Sequence, residues 1–249
     1  MNKEQLTRYS RHILLPEFDQ VGQEKLLNSK VLLIGVGGIG SATSIYLTSA
    51  GIGELIIVDK DIVDLTNLQR QILYSSDDIG KYKVECAKKH LNALNPECRI
   101  NEIYTTIDDK NLAEIAKDVD IILDATDRFA TRHLINQVAV IINKPLIIAS
   151  AIRYDTQIFT INPLQKEFAC FECVYPQATG SLEEVCATHG VFAPAVGMIG
   201  TILAAEAIKF LLSLTTLNNQ ILLFNLLNYQ SQKLQVKKSP NCKVCANKN

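Results

Sequence analysis

Neither charge dominates this sequence. Its 25 lysines and arginines meet 26 aspartates and glutamates, which leaves a formal net charge of −1. Without a basic surplus there is no electrostatic footprint for a polyanion, so nucleic acid is not an expected partner. Long apolar runs are missing as well. The longest charge-free apolar stretch, 191–205, has 15 residues, is interrupted by Pro194, Gly197 and Gly200, and then meets Glu206 and Lys209. A bilayer crossing needs about 20 apolar residues. The stretch is therefore read as a buried helix, and no membrane partner is expected. The opening run MNKEQLTRYSRHILL carries charges of both signs and is no secretory signal. There is no internal repeat and no low-complexity linker. The 249 residues, 47% hydrophobic and 20% charged, fit one globular domain over 1–249 that buries a sizeable core. Seven cysteines without a signal peptide predict a cytoplasmic protein, where thiols serve metals or catalysis more often than disulfides.

Apolar periodicity predicts the elements. Residues 3–15 and 19–28 have helical spacing. VLLIG (31–35) is a continuous apolar run ended by glycines, as a strand buried on both faces should be. A helix is expected over 39–50, then a second strand, ELIIVD (54–59). Further helices are expected at 80–94, 109–117 and 128–143, with strands near 99–107, 119–124 and 145–150. Strands alternating with helices imply βαβ units and a mostly parallel, Rossmann-like sheet flanked by helices. The rhythm then changes. Residues 156–162, 221–225 and 232–237 look like antiparallel additions, separated by a polar loop (176–190) and an apolar helix (192–214).

Four cysteines form two C-x-x-C pairs, Cys170/Cys173 and Cys242/Cys245, with 68 residues between them. Two residues between thiolates let a tight turn present both sulfurs to one ion, and two such pairs complete a tetrahedral four-sulfur site. A closed site of this kind is structural, and zinc is the expected metal. It would clip the C-terminal segment onto the middle of the fold.

The chemistry is sought elsewhere. Gly35-Val36-Gly37-Gly38-Ile39-Gly40 fits G-x-G-x-x-G directly after the first strand, and Asp59 stands 19 residues beyond Gly40 at the end of the second. Such a loop puts phosphate on a helix N-terminus and such an acid can bind ribose hydroxyls. Alone it also suits an NAD-dependent oxidoreductase. The residues beyond Asp59 argue for a triphosphate. DLTNLQRQ (64–71) brings Asn67, Gln69, Arg70 and Gln71 close behind the acid, and Lys83 opens the next helix. Displacement at a phosphate concentrates charge that positioned cations and magnesium stabilise. The competing reading of Arg70 and Lys83 is solvated surface charge. Asp127, just past the fourth strand, either holds magnesium or caps the next helix. The Glu206/Lys209 pair is read as an i,i+3 contact that eases charge into a mostly buried helix.

Taken together, RYSRHILL (8–15), GVGGIG (35–40), Asp59, DLTNLQRQ (64–71), Lys83 within GKYK, LDATD (123–127), the paired cysteines and a cysteine in the loop 176–190 give a sequence that resembles the ThiF/MoeB family over essentially all its length. These are ubiquitin-activating-like adenylyltransferases of sulfur-carrier proteins. The resemblance implies a homodimer that uses ATP and magnesium to adenylate the terminal carboxylate of a ubiquitin-like carrier ending in Gly-Gly, for thiamin or molybdopterin biosynthesis. It implies that Gly38 lies close to the nucleotide and that Asp59 binds the ribose. Asn67, Arg70 and Lys83 would surround the phosphates and Asp127 would hold magnesium. Arg11 would reach the partner subunit's phosphates, and Cys170, Cys173, Cys242 and Cys245 would bind zinc. Cys186 matches a loop cysteine that forms a covalent link with the carrier in ThiF-type enzymes and is dispensable in MoeB-type ones. The alternatives are the oxidoreductase and a non-catalytic binder of a ubiquitin-like protein.

Overall fold

A computed structural model of the chain describes residues 1–177 and 190–246. Eight strands form one sheet: β1 (Lys30–Ile34), β2 (Glu54–Asp59), β3 (Arg99–Tyr104), β4 (Ile121–Asp124), β5 (Leu146–Ile152), β6 (Asp155–Ile161), β7 (Gln220–Asn225) and β8 (Gln230–Gln235). Their order is β3-β2-β1-β4-β5-β6-β7-β8. The first five are parallel; β6, β7 and β8 extend the sheet antiparallel. The expected Rossmann-like core with antiparallel additions is therefore present. The strand order reverses at β1, so the carboxyl ends of β1, β2 and β4 border a crevice of the kind where open α/β sheets bind ligands.

The sheet is covered on both sides, which is why its central strands are apolar without alternation. Val31 and Leu33 of β1 pack into one cluster with Ile39 and Leu47 of α4 (Gly38–Ala50), Leu91 of α5 (Lys83–Leu94) and Ile199 and Leu203 of the long apolar helix. Leu32 and Ile34, one step along the same strand, face the opposite cluster with Leu112 of α6 (Asp109–Ile115), Ile135 of α7 (Phe129–Ile141) and Phe171 of the short α8 (Phe171–Val174). Each such aliphatic side chain contributes roughly 1.5–3 kcal/mol by leaving water.

The apolar helix is α9 (Ala193–Leu211). By length and composition alone it would pass for a membrane span. Here it packs against α4, β5 and β6. Its one acid, Glu206, is buried and fully engaged: Oε1 accepts hydrogen bonds from the Thr160 hydroxyl at 2.9 Å and from the Leu217 N–H, and Oε2 meets Lys209 Nζ at 3.0 Å. The expected i,i+3 pair is present, and it is the smaller part of what holds this carboxylate.

The N-terminal segment departs from expectation. In place of one helix over 3–15 there are two short ones, α1 (Lys3–Arg8) and α2 (Ser10–Ile13), followed by α3 (Asp19–Leu27). The break falls at Tyr9, which is buried and accepts a hydrogen bond from Asn95 Nδ2 at 2.9 Å. Its ring lies over Gly51, the left-handed residue that ends α4 (φ +89°), where any side chain would collide with it.

Candidate adenylation site

A cavity of about 830 Å³ opens at the carboxyl ends of β1, β2 and β4. It falls within the range of small-molecule sites. Gly38, Asp59, Asn67, Arg70, Lys83 and Asp127 all line it. Six residues scattered over ninety positions of sequence thus meet at one crevice.

The floor is the glycine loop and the start of α4. A methyl group at Gly40 would overlap the Gly35 carbonyl oxygen, so only glycine lets helix and loop approach this closely. The loop is gripped from both sides of Val36. The Val36 N–H donates to Asp59 Oδ2 at 2.9 Å, and its carbonyl accepts the buried Tyr74 hydroxyl at 2.8 Å. Burial pushes the Tyr74 phenol far up, which keeps it a donor. Gly37 occupies the N-cap of α4 and no side chain caps the helix, so its first-turn amides suit an anion. Asp59 Oδ1 also accepts the Asp61 N–H at 2.9 Å. With one bond on each oxygen, the carboxylate retains lone pairs for ribose hydroxyls.

The cations come from the adjoining wall. Lys83 is 4% exposed, so the surface-charge reading fails for it. Its Nζ meets Asp61 Oδ2 at 2.9 Å. As expected, Lys83 opens its helix, and an isolated bridge from Ile62 to Tyr82 helps fix its backbone. Arg70 is half-buried and its Nη1 donates to Thr66 O at 3.0 Å. Asp127 is exposed in the cavity, while the N-cap of α7 falls one residue later, on Arg128. An exposed carboxylate is the hard oxygen donor that magnesium takes alongside substrate phosphates, so this set fits the ion.

Sequence reasoning missed other walls. Asp61, Thr126, Arg132 and the segment Thr105–Ile107 also line the cavity, as do Ser150, Thr156, Gln157 and Leu223 toward β5–β7. Gln71, noted in the polar run, is buried there with Oε1 unpartnered among the described residues. Arg11 is exposed on α2 and does not line this cavity. Cys186 lies outside the described residues.

Away from the cavity, the sulfurs of Cys170, Cys173, Cys242 and Cys245 lie within 4.8 Å of one another. The separations Cys170–Cys242 and Cys173–Cys245 are 3.5 and 3.4 Å, and Cys170–Cys173 is 3.9 Å. A tetrahedron with Zn–S of about 2.3 Å has edges of about 3.8 Å, so the cluster fits zinc. Hydrogen bonds among the thiols push Cys170 up and hold Cys173 down. The knuckle is pinned to α7: the Phe171 N–H donates to Asn136 Oδ1 at 2.9 Å, and Glu172 meets His133 Nδ1 at 3.0 Å, with both side chains buried.

Comparison with known proteins agrees with this geometry. The chain is 38% identical to the Sulfur carrier protein ThiS adenylyltransferase of Escherichia coli K12, across 100% of this chain and 98% of that one. It is 37% identical to the Molybdopterin-synthase adenylyltransferase of the same organism, with 98% of each covered. Among solved structures, E. coli MccB superposes with a TM-score of 0.85 at 31% identity, across 99% of this chain and 74% of that one. Residues 9–244 match the ThiF family, and the chain belongs to it.

Proposed function

We propose that this protein is an ATP-dependent adenylyltransferase that activates the C-terminal carboxylate of a ubiquitin-like sulfur-carrier protein ending in Gly-Gly. The observation that carries this reading is the convergence of the glycine loop, Asp59, Arg70, Lys83 and Asp127 on one cavity. Hydride transfer needs no such cluster of cations, which disfavours the oxidoreductase. The presence of every charged group disfavours a non-catalytic binder.

In this mechanism the carrier carboxylate attacks the α-phosphorus of ATP and pyrophosphate departs, leaving an acyl-adenylate. Asp59 orients the ribose. The first-turn amides of α4, with Gly38 beside the nucleotide, face the phosphates. Asn67, Arg70 and Lys83 stabilise charge that grows on the α-phosphate and the leaving group. Lys83 is already positioned by Asp61, so little reorganisation accompanies that charge. Asp127 would hold magnesium, which would supply further neutralisation of the triphosphate. The cavity's extension past Ser150, Thr156 and Gln157 gives an extended Gly-Gly tail room to approach the α-phosphate. The four paired cysteines would hold a structural zinc that takes no part in the chemistry.

Arg11 lies on a surface helix outside its own cavity, which supports a homodimer in which it serves the partner's phosphates. Mixing Arg11→Ala with Asp127→Ala subunits should then restore part of the activity, because one site per mixed dimer is intact. No recovery would remove the shared site.

The decisive assay is exchange of labelled pyrophosphate into ATP, with purified carriers of the thiamin and molybdopterin type offered in turn. Exchange that depends on a carrier with an intact Gly-Gly terminus supports the reading. No exchange with any such carrier, together with tight NAD binding, overturns it.

A further inference from the structure

Asp127 is an exposed side chain on a short turn between β4 and α7, and a metal ligand on so short a turn needs its backbone fixed. Three residues fix it. Asp124, the last residue of β4, is completely buried. Its Oδ1 accepts two hydrogen bonds from Thr126, one from the N–H at 2.9 Å and one from the hydroxyl at 2.7 Å. On the far side of the same residue, the Thr126 carbonyl oxygen accepts from Arg132 through Nη2 at 2.6 Å and Nε at 3.3 Å. Arg132 is 4% exposed and its guanidinium lies 5.6 Å from the centre of the Phe129 ring. The preceding residue is held too: the Ala125 N–H donates to Ile34 O at 2.9 Å. The turn is thus bonded on both faces immediately before Asp127.

The charges match this role. Asp124 pays for burial with a carboxyl pushed upward by desolvation, an effect the Arg132 guanidinium opposes. Its Oδ2 has no partner among the described residues. A buried acid with an orphaned oxygen is a costly way to hold a turn, and an apolar residue would spare that cost. What an apolar residue cannot do is accept both Thr126 donors.

We propose that Asp124, Thr126 and Arg132 are positioning residues that clamp the turn carrying Asp127 and thereby set the affinity of the nucleotide site for its divalent cation. The proposal rests on the reading that Asp127 holds that cation. Residues that orient a metal ligand typically change metal affinity 10- to 100-fold when altered.

The test measures binding of Mn²⁺, by electron paramagnetic resonance, to the whole protein saturated with a non-hydrolysable ATP analogue. Arg132→Lys, which loses the two-pronged grip, should weaken Mn²⁺ about tenfold or more. Thr126→Val, which keeps shape and N–H but loses the hydroxyl, should weaken it about fivefold, equivalent to one hydrogen bond. Thr126→Ser should restore wild-type affinity. Zinc content should stay at about one ion per chain throughout, which a generally loosened fold would not allow. Wild-type Mn²⁺ affinity in Thr126→Val, or an equal loss in Thr126→Ser, overturns the clamp whatever Arg132→Lys does. Asp127→Asn separates the two levels. If it abolishes Mn²⁺ binding while the clamp variants behave as wild type, the ligand stands and the clamp falls. If it leaves Mn²⁺ binding intact, the underlying reading of Asp127 is wrong.

Discussion

Replacing Glu206 with alanine should destabilise the protein by about 3–5 kcal/mol. The carboxylate is 3% exposed and accepts from the Thr160 hydroxyl, the Leu217 N–H and Lys209. Alanine strands two buried donors, the Thr160 hydroxyl and the Leu217 N–H. Each costs about 1–3 kcal/mol when unsatisfied, and the space left by the side chain adds to that. Lys209 is the contrast. Its side chain is 42% exposed, so Lys209→Ala removes a solvent-screened partner while both internal bonds survive. That change should cost about 1 kcal/mol or less. A domain with a total stability of about 5–15 kcal/mol registers the difference easily. Urea unfolding of the metal-loaded protein, followed by circular dichroism, gives both values, and an unchanged slope would show that only stability moved. If Glu206→Ala cost under about 1 kcal/mol, or no more than Lys209→Ala, the assignment of Glu206 as the tie between α9, β6 and the chain before β7 would be wrong.

Cys242→Ala should abolish the stoichiometric zinc of about one ion per chain and lower the melting temperature, with metal analysis and calorimetry as the checks. Lys83→Ala should lower kcat of pyrophosphate exchange roughly 10²–10³-fold, whereas Asp59→Ala should act mainly on the KM for ATP; the reverse pattern would refute the division of roles. Cys186→Ala should leave exchange intact, since adenylation precedes any step for a thiol, and lost exchange would contradict that order. For Asp78, burial alone would raise the carboxyl, but bonds from the Ser75 N–H, His90 and the Ser75 hydroxyl outweigh it and hold the group to about 2. Its folded value lies below the unfolded value, so the associated stability of about 2 kcal/mol is present above pH ~4 and lost as pH falls toward 2. The stability gap between wild type and Asp78→Asn should shrink across that window in acid-titrated urea curves; a constant gap would exclude the linkage.

Much of the site is legible in the sequence because its features are local. The glycine loop, the acid ending β2 and the C-x-x-C knuckles each depend on spacing over a few residues, and chain connectivity alone brings strand ends to one crevice. The continuous apolar runs are readable for the same reason, since burial on both faces leaves no position for polar residues. What escaped depends on distant contacts. The break at Tyr9 is set by Asn95 and Gly51, which no window around residue 9 contains. Arg132 and Thr156 become cavity walls only when α7 and β6 dock. Lys83 and Asp127 are legible as site residues, but their competing readings, surface charge and helix cap, fall away only once Lys83 is buried by distant neighbours and the N-cap of α7 lands on Arg128.

The division of the four thiols between two knuckles also bears on the order of events during synthesis. On a ribosome, Cys170 and Cys173 emerge well before Cys242 and Cys245, and two thiolates alone make an incomplete cage. Sulfur partners 72 positions apart must then meet, and closing a flexible loop of that length costs roughly 4 kcal/mol of chain entropy. Structural zinc binding supplies about 10–16 kcal/mol, so capture wins comfortably once all four sulfurs exist. Metal uptake would thus mark a nascent chain whose β7–β8 hairpin has been made, and a chain halted before Cys242 would leave its first pair exposed to oxidants and competing metals.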